Sequence, residues 1–182
     1  RAQAHAGITS RTHALALNVM HFFPECAALW GAICSVPEKI SQDIKGLGPT
    51  SVAWAFAVQL RLIIRLYVMP GPPRGKEFYE LTLSDLSIND EAFDLEFVKF
   101  KTYLQVGSKA NLYRDCDGFG QLRHDMLNHL EVIRPILLRQ QPEENQSNRL
   151  FLSKTGLPIK GAGWSQMITS CFRKYLGTEH CG

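Results

Sequence analysis

The sequence lacks paired cysteines. Its five, Cys26, Cys34, Cys116, Cys171 and Cys181, are scattered, with no C-x-x-C, which excludes a disulfide scaffold and reads as free thiols in a reducing compartment. No G-x-G-x-x-G, Walker lysine loop, G-x-S-x-G or H-E-x-x-H is present, so nucleotide binding and the common hydrolase chemistries lose their usual signatures. A secretory leader is not visible, because RAQAHAGITSRTH is polar. An uninterrupted membrane span is missing too. The most apolar run, SVAWAFAVQLRLIIRLYVM, carries Gln59, Arg61 and Arg65, which would be costly in lipid and mark a buried helix instead. Nor is there a strong excess of charge. A formal net charge of +3 permits a nucleic-acid partner without demanding one.

What is present is ordinary globular composition, 45% hydrophobic and 20% charged, enough to build a packed core. Thr12 to Cys34 repeats Ala, Leu and aromatic residues at helical spacing, and Pro24 predicts a break into two short helices. Val36 to Ile44 predicts a further short helix begun near Pro37. Gly48 and Pro49 mark a boundary, after which Thr50 or Ser51 can cap a long apolar helix ending at Met69. Arg74 to Leu81 predicts a short helix behind Pro73. From Phe93 the period changes to two, and Phe93, Leu95 and Phe97 share one face of a strand. Gly107-Ser108-Lys109 predicts a turn, and ANLYRDC a returning strand. Leu122 to Leu138 predicts an amphipathic helix with Leu127, Leu130 and Ile133 on one side, bent or shortened by Pro135. RLFLSKTGLPI predicts a strand with a turn at Lys154-Thr155-Gly156, and Trp164 to Leu176 a last helix closed at Gly177. The expected fold class is mainly α with a small antiparallel β-sheet, a hairpin or three strands.

Metal sites fit poorly. Asp115, Asp117, Gly120 and Leu122 occupy four positions of a calcium loop. Phe119, however, stands at a ligand position and Met126 where a bidentate Glu belongs. His124 and His129 lie five apart and face away from each other on a helix, and both read as surface or core histidines.

One stretch carries more. In PPRGKEFYELTLSDL, Arg74, Glu77, Leu81 and Asp85 stand at helical intervals behind two prolines, with Glu77 an ordinary i,i+3 surface partner for Arg74 when read alone. Lys101-Thr102 follows within the alternating segment, and LFLSKTGLPI follows a helix and a polar loop. In this order the residues resemble the tyrosine recombinases, the phage-integrase-like family, over about Gly48 to Gly182. The resemblance implies that residues 48–182 are the N-terminal part of the catalytic domain and, more loosely, that residues 1–47 are the end of a helical core-binding domain, the alternative being extra helices packed on the same core. It implies breakage and rejoining of double-stranded DNA through a 3′-phosphotyrosine, without metal or other cofactor, by protomers that self-associate as tetramers on two sites. It implies Arg74 as phosphate clamp and Lys101 as general acid, a role that Lys99 or Lys109 could hold instead, with Lys99, Lys109 and Arg114 meeting phosphates. The location implied is intracellular, with genomic DNA, and not a membrane.

The chain departs from the pattern at Pro72-Pro73, where the family has Gly-Leu, and Tyr175 comes too early to be the nucleophile. The His-x-x-Arg box and the nucleophile are expected beyond Gly182. The chain opens on Arg1 rather than Met, so it is expected to be an inactive internal piece of a longer protein. Two rivals stand beside this reading: a non-catalytic helical DNA-binding or protein-interaction module on the same scaffold, and an unrelated mainly α domain.

Overall fold

The computed structural model describes residues 24–68, 75–97 and 108–177. It divides the chain into two compact units, residues 1–35 and 36–182. The described elements are α1 (Pro24–Ile44), α2 (Val52–Tyr67), α3 (Gly75–Glu80), a 3-10 turn (Leu83–Asp85), β1 (Leu86–Ile88), β2 (Ala92–Phe97) and β3 (Ser108–Tyr113), then α4 (Phe119–Asn128), a π-helical turn (His129–Ile133), α5 (Arg134–Leu138), a second 3-10 turn (Glu143–Asn145) and α6 (Gly161–Leu176). The fold is mainly helical with a three-stranded antiparallel sheet.

Pro24 opens α1, where its missing N–H costs nothing. The separate short helix expected to begin near Pro37 is instead the second half of α1, which runs through that proline. Val36 and Ile40, on either side of Pro37, are fully buried in a cluster with Ile64 and Cys171, and that burial outweighs one lost backbone bond. Ser51 caps α2, its hydroxyl accepting from the Trp54 N–H at 3.1 Å.

α2 is apolar nearly all round because it has two buried faces. Leu62, Ile63 and Leu66 pack with Phe78, Phe93 and Trp164, while Ala55 and Val58 pack with Ile133, Leu137 and Leu152. Among the described residues no helix is long and apolar enough to cross a membrane.

The sheet order is β1-β2-β3, with Phe93 opposite Ile88 on one side and Leu112 on the other. Phe93 and Leu95 point into the core, as their alternation predicts. Ser108 and Lys109 belong to β3 rather than to a turn, opposite Phe97 and Glu96. Ladder pairing with β2 extends the strand beyond what the local Gly-Ser-Lys composition suggests.

The helix predicted from Leu122 to Leu138 is three pieces. Pro135 has no N–H to continue the ladder, and the chain passes it through the π turn before α5 begins with proline in its first turn. The buried stripe is Leu122, Asp125, Met126, His129 and Ile133. Leu127 and Leu130 are only half-buried, because two polar residues, each with internal partners, occupy core positions the pattern assigned to leucines.

Candidate functional site

The site expected from the sequence lies around α3. Arg74, Lys99 and Lys101 lie outside the described residues. The residues behind Arg74 are described. Glu77 is buried, at 9% exposure, and is not without a partner. Phe78 and Leu81 anchor the segment in the core, Phe78 stacking at 6.1 Å on Trp164 of α6. Asp85 ties down the turn that follows. Its Oδ2 accepts from both the N–H and the hydroxyl of Thr82, each at 2.7 Å, immediately before β1 begins.

Residues far along the chain are bonded to this segment. The Leu150 N–H donates to the Leu81 carbonyl at 2.8 Å, and the Leu83 N–H to the Asn148 carbonyl at 3.0 Å. The Arg149 guanidinium donates to the Glu80 carbonyl, satisfying an acceptor at the end of α3. The stretch from Leu81 to Leu83 and the start of LFLSKTGLPI are therefore neighbours in space.

LFLSKTGLPI is itself held by buried side chains. Gln59 of α2 meets Leu152 with both ends of its amide, donating to the carbonyl at 2.6 Å and accepting from the N–H at 3.0 Å. His129 Nε2 lies 2.9 Å from the Leu150 carbonyl. A carbonyl only accepts, so Nε2 carries the proton and Nδ1 is bare, buried without a hydrogen-bond partner among the described residues. Arg134 donates from Nε to the Arg149 carbonyl at 3.0 Å.

Burial of His129, opposed by its bond to Leu150 and helped by nearby Arg134, pushes its pKa down from 6.5 to about 4. The unfolded chain thus binds a proton between pH 6.5 and 4 that the folded chain refuses. Stability is complete above pH 6.5 and is lost as pH falls toward 4, by about 3 kcal/mol across the window. Urea unfolding of the parent and of His129→Gln at pH 7.5 and 4.5 should show a steeper loss in the parent. Equal slopes would remove His129 as the source.

The basic residues predicted to meet DNA divide. Lys109 sits on β3 opposite Glu96. Arg114 is exposed and held at the β1–β2 turn, its Nη1 3.1 Å from Glu91 Oε1, so a phosphate must compete with that carboxylate. Arg123 is tied to the same turn, through Asp90 and the Asn89 carbonyl. Tyr175 donates its hydroxyl to Asp43 at 2.8 Å, and burial together with this bond raises its pKa, which makes it a poorer nucleophile.

One buried charge cluster escapes the sequence. Asp125, 2% exposed, receives Arg61 at 3.2 Å and also Arg65, while Gln121 donates to it at 3.0 Å. Arg65 reaches on to Glu38 at 2.9 Å and Arg61 to Ser41 at 3.1 Å, joining α1, α2 and α4. The available signal was the pair of arginines on an apolar helix, which require a buried carboxylate somewhere. Among the described residues no group of His, Cys, Asp and Glu could hold a metal.

No protein-family profile, curated protein or solved structure matches the chain.

Proposed function

We propose that this chain is part of a tyrosine-recombinase-like protein that breaks and rejoins double-stranded DNA, with residues 48–182 the first half of its catalytic domain. The observation that carries the reading is the hydrogen bond from Leu150 to the Leu81 carbonyl, which joins two separately recognised motifs 69 residues apart. The buried Glu77, the core position of Leu81 and the Thr82–Asp85 turn leading into the sheet add support.

In this reading Arg74 clamps the scissile phosphate. A guanidinium is a permanent cation with a planar fork of donors, suited to the charge that builds on the non-bridging oxygens. Glu77 orients Arg74. Lys101, between β2 and β3, protonates the leaving 5′-oxygen. The attacking tyrosine belongs to chain beyond Gly182, and the protomers assemble on DNA within the cell.

The test uses the full-length protein and a suicide DNA substrate that traps the covalent intermediate. Arg74→Ala should lower trapping by about a hundredfold or more at unchanged melting temperature. Trapping at the parent level would sink the clamp. DNA binding with no covalent product from the parent would instead favour the non-catalytic DNA-binding module.

A further inference from the structure

We propose that the groove between α2 and α6 is a docking site for an amphipathic helix of another protein, one that carries a carboxylate beside its apolar stripe. This does not rest on the recombinase reading.

The two helices meet through Ile64 and Cys171, against Val36 and Ile40 of α1. Beside that contact α2 and α6, with Ile40 and Asp43 of α1, line a groove of 850 Å³ that runs along α6 from Gly163 to Tyr175. Its α2 wall is Ala53, Phe56, Ala57 and Leu60, spaced at three and four residues, with Phe56 and Leu60 half-buried against the core clusters behind them. Its α6 wall includes Gly163, Met167 and Ser170. Short side chains at Ala53, Ala57, Gly163 and Ser170 allow a second backbone to come close, while Phe56, Leu60 and Met167 offer apolar contact. Ala53 to Leu60 spans about 10 Å of helix axis, two turns, which is the scale of an i, i+3/i+4, i+7 anchor set.

Charge selects the occupant. Lys154 stands over the Phe56 ring at 5.3 Å, at the edge of the groove. It forms no ion pair with a carboxylate among the described residues. The other lining ammonium, Lys174, is already held by Asp43. One unneutralised cation above an apolar floor matches a helix with a single well-placed Glu or Asp. A nucleic-acid strand needs a row of free cations and gains little from such a floor.

The experiment uses fluorescence anisotropy with a labelled peptide of about fourteen residues, four helical turns, with Leu at i, i+3 and i+7 and one flanking Glu. A sister peptide carries Lys in place of Glu. The Glu peptide should bind the chain at least tenfold more tightly than the Lys peptide. Lys154→Glu should reverse that preference. Ala57→Trp, which fills the groove from a half-buried surface position, should abolish both at an unchanged melting temperature. A preference that Lys154→Glu leaves unaltered overturns the proposal, as does binding that survives Ala57→Trp. Sedimentation of the chain alone supplies the remaining outcome. A dimer that Ala57→Trp dissolves would make a second copy the occupant and overturn the assignment to another protein.

Discussion

Gly156→Ala should lower folding stability by about 3 kcal/mol. Two costs add at this position. Gly156 has φ +76°, in the left-handed region, where a Cβ costs about 1–2 kcal/mol. A Cβ there would also come within 2.5 Å of the Leu137 carbonyl oxygen. That atom is backbone at the end of α5, so either the turn or the helix must move, and forced overpacking costs about 1–3 kcal/mol. Gly118 provides the control. Its φ is +81°, yet nothing lies within 4 Å of its would-be Cβ. Gly118→Ala should therefore carry only the dihedral cost, about 1 kcal/mol. Urea unfolding of both variants separates the two effects. Equal losses would mean that α5 yields freely and the close approach carries no energy.

Asp125→Ala should be comparably damaging, at about 3 kcal/mol. The carboxylate is almost completely enclosed, and the side chains of Arg61 and Arg65 are only 19% and 16% exposed. Removing it leaves two guanidinium groups facing each other with little water, the situation in which breaking a buried pair costs most. The residual exposure and the contacts to Ser41 and Glu38 hold the cost at the lower end of that range. Arg61 already carries a buried Nε with no hydrogen-bond partner among the described residues, so it has no spare donor satisfaction to lose. Replacing the whole cluster, with Met at 61 and 65 and Leu at 125, should recover most of the loss, because the desolvated charges go together. Chemical denaturation of the single and triple variants decides this. A cost below 1 kcal/mol for Asp125→Ala would mean that the arginines turn out to solvent.

The residues that signalled themselves by local chemistry were legible in the sequence. Ser51 caps, Gly177 terminates α6 with φ +87°, and Lys154-Thr155-Gly156 turns the chain. What escaped depends on partners remote in sequence. Pro37 should stop a helix locally, and only the burial of Val36 and Ile40 against α2 and α6 carries α1 past it. β1 has three residues, too short for any period, and exists because β2 pairs with it. Asp125 was invisible as a core position, and His129 was left open between surface and core, because polarity argues for exposure until their partners, Arg61, Arg65 and the Leu150 carbonyl, are known. For the candidate site, spacing set Glu77, Leu81 and Asp85 in one motif but read Glu77 as a surface partner, whereas it is buried. Arg114 read as a DNA contact, but its carboxylate neighbour Glu91 comes from the opposite strand end and could not be seen.

The amide of Gln59 has a consequence for the order in which the protein is made. Among the described residues its partners are the main-chain groups of Leu152, 93 residues later. As the chain leaves the ribosome, α2 and the whole sheet precede that partner. Until Leu152 arrives, a fully enclosed α2 would hold a dehydrated amide with nothing to bond, a penalty of about 1–3 kcal/mol. The central helix therefore stays wet on that side through most of synthesis, and its closure is a late, long-range folding step.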